Sequence, residues 1–328
     1  MNNRRKLVIA LGASALAAPL ASFGQSKQTP AVIGWLNVTS REAGIHWLAA
    51  FKEGMAALGL KEGSQFVIEE RWADGWYSRL PALAAELAAK KPAIIVAAPS
   101  QTVAAVSRAA PHTPIVHANG SDPVAAGFAA SLARPGGMIT GLTNLATNVT
   151  EKHLELLLAA VPKLKRVGFL TDGSSVNLAL LMQGAERSVV QRAIEARFAT
   201  AARPDEIEPA IARLAKEGAQ ALIVFVSPMF ASERRRIVTL ALAKRWAVIG
   251  PTSEFAAAGA LLSYGADAAS NYRRAATFVD KILKGAKPGD LPMEQPTKIE
   301  LVVNAATAKA LGLSISSEIL LRADKVIE

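Results

Sequence analysis

Ala93-Ile-Ile-Val-Ala-Ala98, Pro99-Ser-Gln-Thr102, a helical run to 109 and Pro114-Ile-Val-His-Ala118 read in order as strand, loop, helix and strand. Six unbroken apolar or small residues suit a strand buried on both faces, as inside a parallel sheet. The preceding residues follow the same grammar. Ala31-Val-Ile-Gly-Trp-Leu36 predicts a buried strand. A helix is predicted from about 42 to 58, with Ile45, Leu48, Ala49 and Met55 at helical spacing and Gly59 as its C-cap. Phe66-Val-Ile-Glu-Glu-Arg-Trp72 is the next strand, and a helix from about 79 to 89 stops near Pro92. Strands alternating with helices imply a parallel sheet covered on both faces.

The alternation restarts after Arg134-Pro-Gly-Gly137. Helices are predicted near 150–160, 179–192, 204–217 and 231–244. Strands are predicted near 166–170, 196–201, 221–226 and 247–250. Strand-like Leu261-Leu-Ser-Tyr264, a helix near 271–283, a strand near 298–304 and a helix near 305–311 follow. A chain of 328 residues holds two such units comfortably. The expected fold is α/β, with two Rossmann-like doubly wound lobes and a cleft between them as the default ligand site.

The first residues have the pattern of an export signal. Arg4, Arg5 and Lys6 precede an uncharged apolar run from Leu7 to Ala21, broken by Pro19. The run is short for a membrane span. Ser22-Phe-Gly24 offers small residues to a signal peptidase, so residues 1–24 are expected to be removed and the mature chain to begin at Gln25. The competing reading is an uncleaved anchor. The paired arginines resemble a twin-arginine signal but also occur in ordinary secretory signals, so both routes stay open. The chain has no cysteine, which excludes disulfides, thiolate metal sites and a lipidated N-terminal Cys. An exported chain without a lipid anchor is expected in a periplasm.

Net charge is +10, and +7 once the three basic residues of the signal are removed. The densest run, Arg234-Arg-Arg236, lies in a helical pattern with Ile237, Leu240 and Leu242. A solvated helix face explains it, and no nucleic-acid partner is expected. Enzyme signatures are missing: no Gly-x-Gly-x-x-Gly after the first strand, no phosphate-binding P-loop and no Gly-x-Ser-x-Gly elbow. His46, His112, His117 and His153 lack metal-ligand spacing. His117 ends a strand beside Asn119; it reads either as a base or ligand contact or as a satisfied structural residue. No catalytic residue, metal or cofactor is expected.

Ligands in open α/β sheets sit beyond the carboxyl ends of strands, against helix N-termini. The loops there are Asn37-Val-Thr-Ser40, Pro99-Ser-Gln-Thr102, Asn119-Gly-Ser-Asp-Pro123, Thr171-Asp-Gly-Ser-Ser175, Ser227-Pro-Met-Phe230 and Pro251-Thr-Ser-Glu-Phe255. Hydroxyls, backbone donors and a few acids suit reversible capture of a small polar solute. The candidate ligand residues are Ser40, Ser100, Gln101, Thr102, Asn119, Asp122, Asp172, Ser174, Ser227, Phe230, Thr252, Glu254 and Tyr264. Ser40, Ser100 and Thr252 read equally well as helix caps. Few bases stand in these loops, so a phosphate or dicarboxylate is disfavoured against an amino acid or similar zwitterion. Ser100, Thr102 and Asn119 are expected at its carboxylate, Asp172 or Glu254 at its amine, and Phe230, Phe255 and Tyr264 as an apolar wall. A neutral polar solute, with the acids as caps, is the rival.

Longer stretches carry a resemblance. Ala118-Asn-Gly-Ser-Asp-Pro-Val-Ala-Ala-Gly127, Ser131-Leu-Ala-Arg-Pro-Gly-Gly-Met-Ile-Thr-Gly-Leu142, Gly259-Ala-Leu-Leu-Ser-Tyr-Gly-Ala-Asp267 and Ile282-Leu-Lys-Gly-Ala-Lys-Pro-Gly-Asp-Leu-Pro-Met-Glu-Gln-Pro-Thr297 are similar to the ABC transporter substrate-binding family that includes tryptophan- and tyrosine-type binding proteins. Tyr272-Arg-Arg-Ala-Ala276, Lys309-Ala-Leu-Gly-Leu313 and Arg322-Ala-Asp-Lys-Val-Ile-Glu328 fit it too. The resemblance implies a type I periplasmic-binding architecture with three crossovers. It places 30–142 in the first lobe, with about 264–290 returning to it. It places 143–263 in the second, with about 291–328 near the hinge and second lobe. It implies a monomer, a small-molecule ligand, and an ABC permease with its cytoplasmic ATPase as partners, the membrane being met only through the permease. Members often carry an Asn-Pro-x-Asn-like loop where this chain has Thr171-Asp-Gly-Ser-Ser-Val-Asn177, so the ligand of better-known members does not transfer directly. A periplasmic ligand sensor, or an enzyme on the same lobes, is the alternative function.

Overall fold

The computed structural model describes residues 29–328, apart from 121, 144–145, 176–177 and 296–298. The export segment and the end of the loop 171–177 therefore lie outside the described residues. Twelve strands and twelve α-helices follow in chain order among them. They are β1 (Ala31–Asn37), α1 (Arg41–Ala57), β2 (Phe66–Trp72), α2 (Leu80–Ala89), β3 (Ile94–Ala98), α3 (Ser100–Ala109), β4 (Ile115–Gly120) and β5 (Ile139–Thr143). Next come α4 (Ala146–Ala160), β6 (Arg166–Asp172), α5 (Leu178–Val190), β7 (Glu195–Ala201), α6 (Ile207–Lys216), β8 (Ala221–Val224), α7 (Pro228–Ser232), α8 (Arg234–Leu242), β9 (Ala247–Gly250) and α9 (Ser253–Ala257). The chain ends with β10 (Leu262–Ala266), α10 (Ala268–Leu283), β11 (Ile299–Asn304), α11 (Ala305–Leu311), α12 (Ser317–Arg322) and β12 (Lys325–Ile327).

Two sheets result, ordered β2-β1-β3-β4-β5 and β12-β11-β10-β9-β8-β6-β7. The first is parallel throughout. The second is parallel except where β11 runs antiparallel to β10. Unbroken apolar strands arise because both faces of each sheet are covered. In β3, Ile94, Val96 and Ala98 face a core shared with α1 and α10, whereas Ile95 and Ala97 face one shared with α2 and α3. In β8, Ala221 and Ile223 divide in the same way from Leu222 and Val224.

Three crossings join the lobes. After β5, the chain enters α4, which packs on β10 and α5. After β10, α10 returns to lie on α1 and β4. Met293 N then donates to Leu132 O, Glu294 pairs with Leu142 beside β5, and the chain passes to β11 in the second sheet. Two predicted helices are broken. The helix predicted near 204–217 begins as a 3-10 turn, Pro204–Glu206, and the one near 231–244 is interrupted at Glu233.

Candidate functional site

The carboxyl ends of both sheets face one another. β1 ends at Asn37, β3 at Ala98, β4 at Gly120 and β6 at Asp172, while β8 and β9 run on to Ser227 and Thr252. A cavity of about 100 Å3 lies where they meet. Its first-lobe wall includes Asn37, Trp47, Tyr77, Ser100, Asn119 and Tyr272; its second-lobe wall includes Asp172, Ser175, Leu181, Ser227, Thr252 and Phe255.

Asp172 is the centre of the polar part. It is 3% exposed. Its Oδ1 accepts from Ser174 N (2.8 Å) and Oγ (2.5 Å); its Oδ2 accepts from Ser227 Oγ (2.6 Å) and, across the cleft, from Tyr77 OH (2.9 Å). Burial and the adjacent carboxylate push the Tyr77 phenol far above its ordinary value, so it stays a donor. Among the described residues, Asp172 is the only carboxylic acid on the cavity wall, and no Lys or Arg lines it.

The aromatic part is built on the first lobe. Tyr272 and Trp47 stack with centroids 5.5 Å apart and planes at 17°. Tyr272 OH accepts from Asn37 Nδ2 at 2.7 Å, and burial raises its phenol as well. Asn37 Oδ1 in turn accepts from Thr39 N and Oγ1, both at 3.1 Å. Each Asn37 group thus has a partner, as burial requires.

The predicted residues divide. Ser100, Gln101, Asn119, Asp172, Ser227 and Thr252 line the cavity. Gln101 also bridges the lobes, its Nε2 donating to Ser174 O at 2.9 Å. Ser174 stands one bond behind Asp172. The other six lie elsewhere. Ser40 caps α1, accepting from Ala43 N, and its own N–H donates to Ser232 Oγ of the other lobe at 2.9 Å. Thr102 and Phe230 are fully buried, the latter in the core beneath α7. Asp122 is exposed and holds the turn at Val124 and Ala125. Tyr264 packs edge-on against His153, whose Nε2 donates to Tyr264 O at 2.6 Å. Glu254 does not line the cavity; its Oε1 accepts from His46 Nε2 (2.7 Å) and Trp47 Nε1 (3.1 Å) across the lobes. Burial pushes its carboxyl up, but bonds from His46 and Thr252 outweigh this and bring it down to about 2.

His117 does not line the cavity, and it is not the satisfied structural residue either. Its ring is fully buried against Gly120, without a hydrogen-bond partner among the described residues, and burial pushes the imidazole down to about 4. Asn37, Trp47, Tyr77 and Tyr272 escape a reading confined to loops after strands. Asn37 is the last strand residue and the aromatics sit on helices or a 3-10 turn. Asn37 lies in the quoted loop 37–40 and Tyr272 in a stretch that carries the resemblance; Trp47 and Tyr77 had no signal.

Two α/β lobes, with a cavity walled equally by both and bridged by direct hydrogen bonds, define a solute-binding protein of the type I periplasmic-binding fold. The chain belongs to the ABC transporter substrate binding protein family, whose profile matches residues 33–327. That is a family of solute-binding proteins, not of enzymes. A tyrosine-binding protein from Clostridioides difficile strain R20291 is 24% identical over 263 residues, covering 80% of this chain and 75% of that one. A Streptococcus pneumonia ABC domain solved in complex with L-Trp superposes with a TM-score of 0.83 at 22% identity, over 91% of this chain and all of the other. A ligand-free, open substrate-binding protein with adhesive properties from Clostridium difficile superposes at 0.64 with 24% identity, over 90% of this chain and 99% of that one.

Proposed function

We propose that the chain is the periplasmic solute receptor of an ABC importer and captures an amino acid or a related small zwitterion between its lobes. The charge of the cavity carries this reading: among the described residues its wall holds one buried carboxylate, Asp172, and no Lys or Arg. A buried acid without a cation favours a ligand that brings one, and penalises a dicarboxylate or phosphate. The ligand carboxylate goes to the start of α3, where Ser100 and Asn119 line the cavity and the helix N-terminus favours an anion. Trp47, Tyr77, Tyr272 and Phe255 give its side chain an apolar surface. The tyrosine-binding relative supports an amino-acid ligand.

A second reading rests on Asp172 itself. Four protein donors already occupy it, as befits a knot that holds the site together for a neutral polar solute. Calorimetry decides. Titration of the mature protein with the standard amino acids, dicarboxylates and sugars should give binding only among amino acids. The best of them should then lose about ten-fold or more in affinity when its amine is acetylated, a charge-assisted bond contributing roughly 1.5–3 kcal/mol. In Asp172→Asn this preference for the free amine should collapse. A sugar that binds where every amino acid is silent sinks the proposal. Export is tested separately by mass spectrometry of the periplasmic fraction. The expected N-terminus is Gln25, and an intact Met1 in the cytosol overturns it.

A further inference from the structure

Glu254 is a mostly buried acid that the ligand cavity does not use. It stands in the first turn of α9, between Thr252 and Phe255, which do line the cavity. A single oxygen, Oε1, accepts from His46 and Trp47, successive residues of α1 on the opposite lobe. The Trp47 ring forms cavity wall and stacks on Tyr272, while the His46 ring packs on Trp47 with centroids 5.0 Å apart. The cavity wall and the contact between lobes are therefore one side chain.

The other interlobe contacts differ in kind. Ser40 to Ser232 and Gln101 to Ser174 join neutral groups, and Tyr77 to Asp172 joins a phenol to a carboxylate. Arg235 and Glu42 are 3.7 Å apart but both largely exposed, a pair worth little. Glu254 with His46 and Trp47 is the contact in which one mostly buried carboxylate oxygen takes two donors from the opposite lobe.

We infer that Glu254 is a positioning residue, which anchors the Trp47 wall across the cleft and holds the lobes closed. Against burial, bonds from His46 and Thr252 keep its carboxyl low, at about 2, so it meets both rings as a carboxylate.

The role of closure in solute capture rests on the receptor reading. The test does not, because it needs no ligand. The chain has no cysteine, so Ala85→Cys and Val190→Cys, exposed on different lobes, accept a spin label at two known sites. Double electron–electron resonance then gives the ratio of closed to open molecules. Glu254→Gln, close in shape, exchanges a charge-assisted acceptor for a neutral one and should lower that ratio about five-fold or more. His46→Asn and Trp47→Phe, each altering one of the two donors, should lower it by less. A melting curve checks that each variant is folded. A ratio in Glu254→Gln equal to the parent's overturns the latch. An unchanged ratio in Trp47→Phe overturns its link to the cavity wall.

Discussion

Gly120 has the sharpest steric requirement near the cavity. A Cβ there would fall 1.7 Å from Cε1 and Nε2 of His117, inside the ring. Gly120→Ala must displace either the imidazole or the cavity wall, and overpacking of this kind costs about 1–3 kcal/mol. A lowered urea midpoint with an unchanged slope is the expected result. His117 and His153 also set a pH dependence of stability. Burial pushes both imidazoles down to about 4, with the Tyr264 carbonyl partly countering this at His153. Unfolded, each takes up a proton near pH 6.5. Between 6.5 and 4 the unfolded chain thus binds more protons than the folded one, and stability falls as pH falls. Each shift corresponds to roughly 3 kcal/mol across that window. Urea titrations at pH 7 and 4.5 should show the loss, and His117→Gln should remove about half of it. Equal pH dependence in parent and variant would show that His117 does not stay neutral in the fold.

At the scale of elements, α10 and α1 pack directly on one another. Gly54 lets them touch: a Cβ would meet Arg273 O at 2.4 Å and the Ala276 side chain at 2.8 Å. Gly54→Ala gains about 1 kcal/mol of helix propensity but forces the helices apart, at a cost of about 1–3 kcal/mol. Net destabilisation is expected in the urea midpoint, and a stabilised variant would contradict this packing. The periodicity of α10 was legible in the sequence, whereas the antiparallel pairing of β10 with β11 was not, since an apolar run is the same in either direction. Strand ends located Ser100, Asn119, Asp172 and Ser227 because ligands gather there. They could not find Trp47 or Tyr272, whose stacking depends on two helices meeting across 225 positions of chain. Nor could they separate Glu254 from Thr252. Both stand in one polar loop, and only the other lobe decides which faces the cavity and which is taken by His46.

The whole molecule is held shut by little. Among the described residues, polar contacts bridge the lobes at Ser40, at His46 and Trp47, at Tyr77 and at Gln101, besides the exposed pair Arg235–Glu42. A neutral hydrogen bond contributes about 0.5–1.5 kcal/mol net and one to a charged group about 1.5–3, and each partner regains water on opening. Three chain crossings let the lobes turn without tearing either sheet, because each sheet closes its own hydrogen bonds. Breaking these bonds costs a few kcal/mol, an amount that a solute touching both walls can offset. The cavity walls meet that condition: Asp172 and Phe255 lie on one lobe, Ser100, Asn119 and Trp47 on the other. Small-angle scattering of the unliganded protein should fit a mixture of compact and extended forms. Saturating ligand should convert it to the compact form alone, with a smaller radius of gyration. Asp172→Ala, which removes the Tyr77 bond as well as the proposed ligand contact, should enlarge the unliganded radius and blunt the contraction. A radius that stays constant from zero to saturating ligand would mean that binding uses one lobe only, and the two-walled site would have to be abandoned.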